Sequence, residues 1–185
     1  MLSKSEYYKP ANLESFAKAK LALYDKYKDR FDVSKQSATG LIPWSSENFP
    51  ELFDEVETLA LARNTKVMRC RFFVTPKQRQ LLPHTDGRFI DELAYALNVP
   101  ILFAEEGHYM NWYTYNGSLA TDQSPVYQNS LNPAEPEKLV LADKLTLTSP
   151  HYVKVGVFHG VHNYVNHNRI VLSIRFTDSF PTEQK

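Results

Sequence analysis

Hydrophobic positions along this chain recur at two different periods, and the change falls near Thr65. Between Asn12 and Tyr24 the period is helical. Leu13, Phe16, Ala17, Lys20 and Tyr24 share a face, and Leu21 and Leu23 widen the stripe. Pro10 precedes this run, and Asn12 is the expected N-cap. A second helix is expected from Pro50 to about Arg63, where Leu52, Phe53, Val56, Leu59, Ala60 and Arg63 keep the same period. Between the two helices, Ser34 to Phe49 holds Gly40, Pro43 and several serines and reads as loop. Both helices read as supports packed on the outside of a sheet.

Beyond Thr65 the pattern turns to strands. Lys66 to Val74 is β-rich, and Thr75-Pro76-Lys77-Gln78 reads as a turn. Gln80 to His84 is extended. Ala94 to Phe103 is apolar, and Pro100 within it points to an edge or bulged strand. Tyr109 to Tyr115 is another strand, closed by Asn116-Gly117 as a hairpin turn. Thr121 to Glu137 is irregular. Short strands follow at Leu139 to Leu141, Leu145 to Leu147, Val153 to Phe158 and Arg169 to Phe176. The expected fold is mainly β, a sandwich or barrel with flanking N-terminal helices. It forms one domain over 1–185, with a mostly helical flank at 1–64 and a strand-rich core at 65–178.

Composition narrows the function classes. Lys+Arg and Asp+Glu are each 21, so the net charge is zero, which argues against nucleic acid as a partner. Cys70 is the single cysteine and cannot form an internal disulfide. The first residues are too polar for a secretory leader, and no apolar run reaches the roughly 18 residues of a membrane span. A cytoplasmic protein without membrane association is expected.

The candidate chemistry sits in six histidines, one carboxylate and one arginine. His84 and Asp86 are separated by one residue, and in extended chain such a pair points to one face. A second histidine would complete a two-histidine, one-carboxylate metal site with open positions, a set suited to non-haem Fe(II) that activates O2. Strand parity favours His159 over His162 and His167. Val153, Val155, Val157 and His159 share one face of an extended segment. With a turn centred near Tyr164, Arg169 would lie across a hairpin from His159, close enough to hold the far end of a chelating acid.

His84-Thr85-Asp86, His159 and Arg169 resemble the 2-oxoglutarate- and Fe(II)-dependent dioxygenases. Leu82 to Asp86, Phe158 to Asn163 and Arg169 to Ser173 look like the aspartyl/asparaginyl β-hydroxylase-like branch, including small bacterial and phage members. The resemblance spans Val67 to Phe176. It implies a double-stranded β-helix, the cupin-like jelly-roll barrel, as the catalytic core. It implies Fe(II) on His84, Asp86 and His159, and the 2-oxoglutarate co-substrate on Arg169, with Asn98 as a further polar contact. The implied reaction uses O2 to hydroxylate an unactivated C–H bond of a peptide side chain, amino acid or small metabolite, releasing succinate and CO2. Two departures stand out. Ala96 occupies a position where the branch often has arginine, and Val171 replaces a serine two residues after Arg169.

Two other readings remain: a non-catalytic jelly-roll binding protein, and a cupin-type metalloenzyme that does not use 2-oxoglutarate. Trp112, Tyr113 and Tyr115 are candidates for a substrate mouth, with core packing favoured for Trp112. Arg69 and Arg71 share a strand face and read as solvated, with contact to an acidic substrate as the alternative. Tyr127 lies in an irregular stretch suited to a lid.

Overall fold

A computed structural model describes residues 5–86, 95–102, 107–121 and 131–177. The strands are β1 (Tyr8–Pro10), β2 (Ser37–Ala38), β3 (Val67–Thr75), β4 (Arg79–His84), β5 (Tyr95–Leu102), β6 (His108–Tyr115), β7 (Leu119–Thr121), β8 (Leu131–Pro133), β9 (Leu139–Leu145), β10 (His151–Lys154), β11 (His159–Asn163) and β12 (Arg169–Phe176). The α-helices are α1 (Phe16–Tyr27) and α2 (Phe53–Leu61). The first sheet runs β1-β10-β5-β12-β3-β2, the second β4-β11-β6-β9, and β7 pairs with β8 alone. All pairings between these strands are antiparallel.

Alternation along the strands divides the molecule into two apolar clusters. On β3 and β12, Cys70, Phe72, Val74, Ile170, Leu172 and Ile174 face the helices and join Ala19, Leu23 and Val56 in one core. The odd-numbered residues of the same strands face the second sheet, where Ala96, Trp112, Val153 and Val171 form a smaller cluster. The helical flank and the strands therefore share a core. No helix among the described residues is long and apolar enough to cross a membrane.

The first helix begins later than the sequence suggests. Its N-cap is Ser15 and not Asn12, which is exposed. Tyr8–Pro10 is drawn into the first sheet by β10, and the amide of Ala11 donates to the carbonyl of Pro150 at 2.9 Å. The backbone amides of Glu14 and Ser15 and the Ser15 hydroxyl all donate to the Glu55 carboxylate of α2. The buried stripe is Ala19, Leu23 and Tyr27, and Leu21 points outward at 65% exposure. Burial acts to raise the Glu55 carboxyl, but the bonds from Ser15 and Glu14 outweigh it and leave it below its ordinary value. Glu55→Ala is therefore expected to lower stability by about 1–2 kcal/mol, the scale of a lost helix cap. For wild type this contribution is present above the unfolded glutamate pKa of about 4.3 and fades as pH falls through the lower folded value. Urea denaturation at pH 7 and at pH 3 measures it: the gap between wild type and Glu55→Gln should narrow at the lower pH.

Three strand expectations are corrected. Val153 to His159 is not one extended segment, because β10 ends at Lys154 and β11 starts at His159 in the other sheet. Asn116-Gly117 closes no hairpin between β6 and β7, since β6 pairs with β11 and β9. Leu139 to Leu145 forms one strand and not the start of two. Pro100 lies in an interior strand. Its missing N–H is accommodated because β10 pairs only as far as Asn98, and the β12 register shifts opposite it.

Candidate metal centre

The two histidines meet as cross-strand partners. His159 opens β11 directly opposite His84 at the end of β4, and their ring centroids are 4.6 Å apart. A register shift between His159 and Val161 brings the strands close there. A Cβ on Gly160 would stand 2.9 Å from the Leu81 carbonyl oxygen, so only glycine fits without a shift. Each imidazole is oriented by its own strand. Nδ1 of His84 lies 2.8 Å from the Leu82 carbonyl and Nδ1 of His159 lies 2.9 Å from that of Val157. With Nδ1–H donating to a carbonyl, Nε2 keeps its lone pair for a cation, the orientation that metal-bound histidines adopt.

Asp86 completes the cluster. One ligand atom each from His84, Asp86 and His159 lies within 4.8 Å of the others. The Asp86 amide donates to the Val155 carbonyl at 2.8 Å, which ties it to the segment leaving β10. Its Oδ1 lies 3.4 Å from His84 Nε2, and its Oδ2 accepts from Arg175 of β12. Burial acts to raise the Asp86 carboxyl, but Arg175, His84 and His159 outweigh it and hold it well below the usual range. Burial alone would lower His84, yet Asp86 and the Leu82 carbonyl leave it raised. Burial, with His84 beside it, lowers His159 to about 4, so this ring is neutral at pH 7. The cluster thus offers one fixed carboxylate and a neutral imidazole beside a second imidazole, a donor set compatible with Fe(II).

Arg169 and Asn98 face the same cavity from the first sheet. The expected hairpin between His159 and Arg169 does not form, because β11 and β12 belong to different sheets; Arg169 pairs with Thr75 of β3. The two residues approach across the gap between the sheets. Arg169 is 4% exposed, and its Nη2 has no hydrogen-bond partner among the described residues. Burial lowers the guanidinium to about 10, which keeps it a cation at pH 7. Asn98 is buried, with its Oδ1 likewise without a partner. The cavity holds about 480 Å³ of empty space, part of it open to solvent.

The remaining candidates lie elsewhere. His162 points to the other face of its sheet, 3.1 Å from the Tyr113 hydroxyl and 2.6 Å from that of Tyr164. His167 packs edge-on against His108. Trp112 is fully buried and stacks with Tyr7 and with Tyr8, and its Nε1 donates to the Lys154 carbonyl at 2.7 Å. Tyr115 packs edge-on against Phe158. Tyr127 lies outside the described residues.

No protein-family model matches the chain, and no curated protein matches it. Solved structures do match over nearly its whole length. The viral collagen prolyl hydroxylase of Paramecium bursaria Chlorella virus-1, solved as its 2OG complex, is 10% identical with a TM-score of 0.56; the match covers 95% of this chain and 98% of that one. HygX from Streptomyces hygroscopicus, solved with nickel and 2-oxoglutarate bound, is 12% identical with a TM-score of 0.57, covering 96% and 84%. A Pseudomonas putida prolyl-4-hydroxylase is 14% identical with a TM-score of 0.53, covering 92% and 91%. This chain has their jelly-roll fold.

Within that fold, Arg175 is the residue that sequence reasoning passed over. Its signal was present: Arg169, Val171, Ser173 and Arg175 alternate along β12, and all four line the cavity. Arg175 also lies across from Ala96, whose small side chain leaves space on the same inner face.

Proposed function

We propose that this chain is a 2-oxoglutarate- and Fe(II)-dependent oxygenase. In this reading it hydroxylates an unactivated C–H bond of a peptide side chain, amino acid or small metabolite and releases succinate and CO2. The observation that carries it is a buried cation with an unpaired donor, Arg169, sharing one cavity with a His-Asp-His cluster. A buried guanidinium donor without an acceptor is costly, so the site fits an anion that supplies one.

His84, Asp86 and His159 would hold the metal, each through one donor atom, leaving positions open. Arg169 would take the far carboxylate of 2-oxoglutarate in a charge-assisted contact, and the Asn98 amide would add a polar contact. Bound iron and 2-oxoglutarate supply the activation of O2 and the oxidising power. Leu81, Met110, Val155 and Val171 give the cavity apolar walls that keep bulk water from the reacting centre. Arg175 holds the Asp86 carboxylate in place. The 2OG complex of the viral hydroxylase and the nickel and 2-oxoglutarate in HygX support the same assignment on the shared fold. The Leu82 to Asp86 motif supports placing the chain beside the aspartyl/asparaginyl β-hydroxylase-like branch. Residues 1–64 act as structural support for the 65–178 core, and the buried, unpaired Cys70 fits a cytoplasmic setting.

Anaerobically purified protein given Fe(II), 2-oxoglutarate and O2 is expected to release succinate slowly without added substrate. Protein that holds iron yet neither binds 2-oxoglutarate nor forms succinate would overturn the reading.

A further inference from the structure

The cavity face of β12 continues on β3. The register places Arg71 across from Ser173 and Arg69 across from Arg175. Phe73 and Thr75 of β3 line the cavity, and Arg71 and Arg69 follow at alternate positions on the same face. The opposite face of β3 is committed to the helices through Cys70 and Phe72. These arginines therefore flank the gap between the sheets, beside the candidate metal centre.

Three guanidiniums are thus gathered on neighbouring strands. Directly opposed residues stand roughly 5 Å apart at Cβ, and like charges so placed destabilise a sheet. Among the described residues, Asp86 is a carboxylate near Arg69, and Arg175 already engages it. Neither Arg69 nor Arg71 has an ion-pair partner among the described residues. The Arg71 guanidinium lies 6.0 Å from the Phe73 ring centroid, close to the cavity wall. Arg69 is exposed, so an incoming anion can reach it. Burial of part of its side chain, followed by Arg175 and Arg71, lowers its pKa, with Asp86 opposing.

We propose that Arg69 and Arg71 form an anion-binding subsite at the cavity mouth. It would hold the carboxylate or phosphate of a small acidic substrate beside the metal centre. Calling that anion a substrate rests on the oxygenase reading; the subsite itself does not. Arg175 stays with Asp86, and the guanidinium forks of Arg69 and Arg71 meet the incoming anion.

The test is calorimetric titration of inorganic phosphate, and in parallel acetate, into the full-length protein as purified, at low ionic strength. Wild type is expected to bind. Arg169→Ala removes only the anion held at the co-substrate end, so the binding that depends on Arg69 and Arg71 should persist in it within about twofold. The double variant Arg69→Ala/Arg71→Ala should bind at least tenfold more weakly, with a thermal midpoint equal to or above wild type. The Arg69→Gln/Arg71→Gln variant gives the same readout should the alanine pair fold poorly. Tighter binding of either anion supports the subsite and identifies the substrate's charged group. Absence of binding to wild type, unchanged affinity in the double variant, or loss confined to Arg169→Ala each overturns it. Succinate release is read separately. Phosphate binding that depends on Arg69 and Arg71 without succinate release removes the oxygenase reading alone. Succinate release with unchanged phosphate affinity in the double variant removes the subsite alone.

Discussion

His159→Ala is expected to cost the protein its iron and all succinate release, whereas His162→Ala keeps both. The two histidines lie three residues apart on one strand, but the pleat sends them to opposite faces. His159 faces His84 across the strand pair, is 4% exposed and has its Nδ1 engaged by Val157. Its removal leaves one imidazole and one carboxylate, and Asp86 is already shared with Arg175. Loss of an outer-shell partner typically lowers metal affinity by roughly 10–100-fold, and loss of a ligand should exceed that. His162 bonds to two tyrosine hydroxyls on the far face, so its alanine variant gives up surface hydrogen bonds alone. Equilibrium titration of anaerobic protein with Fe(II), with succinate followed in parallel, separates the two variants. Iron retained in His159→Ala, or lost in His162→Ala, would reverse the assignment.

How much of this site was legible in the sequence depends on the distance over which each relation is set. His84 and Asp86 are two positions apart, and the structure gathers them into one cluster as their spacing suggested. His159 joins that cluster by a route the sequence did not reveal. The parity run from Val153 is interrupted at Val155 to Phe158, where the chain leaves one sheet for the other. Strand parity cannot be carried through such a crossing. Arg169 follows the same logic: hairpin register would have made it His159's neighbour, but its true partner is Thr75, and the two sheets bring it to the cavity. Helical periodicity located both helices, yet the start of α1 depends on Glu55, 40 residues from Ser15. Arg69 and Arg71 read as a solvated face because a strand's alternation is the same whether a face meets water or a second sheet. The fold class and the local pair were legible; the pairings between distant strands were not.

Arg169→Met is expected to have opposite effects on binding and on stability. In the ligand-free protein the wild-type guanidinium is buried with one donor unpaired, and such a group costs roughly 1–3 kcal/mol. Methionine keeps much of the volume and carries no charge, so urea denaturation should show the variant more stable than wild type by about that amount. Binding should move the other way. Truncating one partner of a buried charge pair costs about 2–5 kcal/mol, which at 1.4 kcal/mol per factor of ten weakens 2-oxoglutarate by on the order of 30-fold or more. Iron affinity should change little, because no ligand atom is removed and Arg169 contacts none of the three. Calorimetric titration of 2-oxoglutarate into nickel-loaded protein measures the first effect. The rise in thermal midpoint that 2-oxoglutarate gives wild type by mass action reports the same loss and should be smaller in the variant, while urea denaturation of the empty proteins measures the gain in stability. A variant that loses metal and 2-oxoglutarate in equal measure, or that is less stable when empty, would show Arg169 to be a structural cation and not an anchor for the acid.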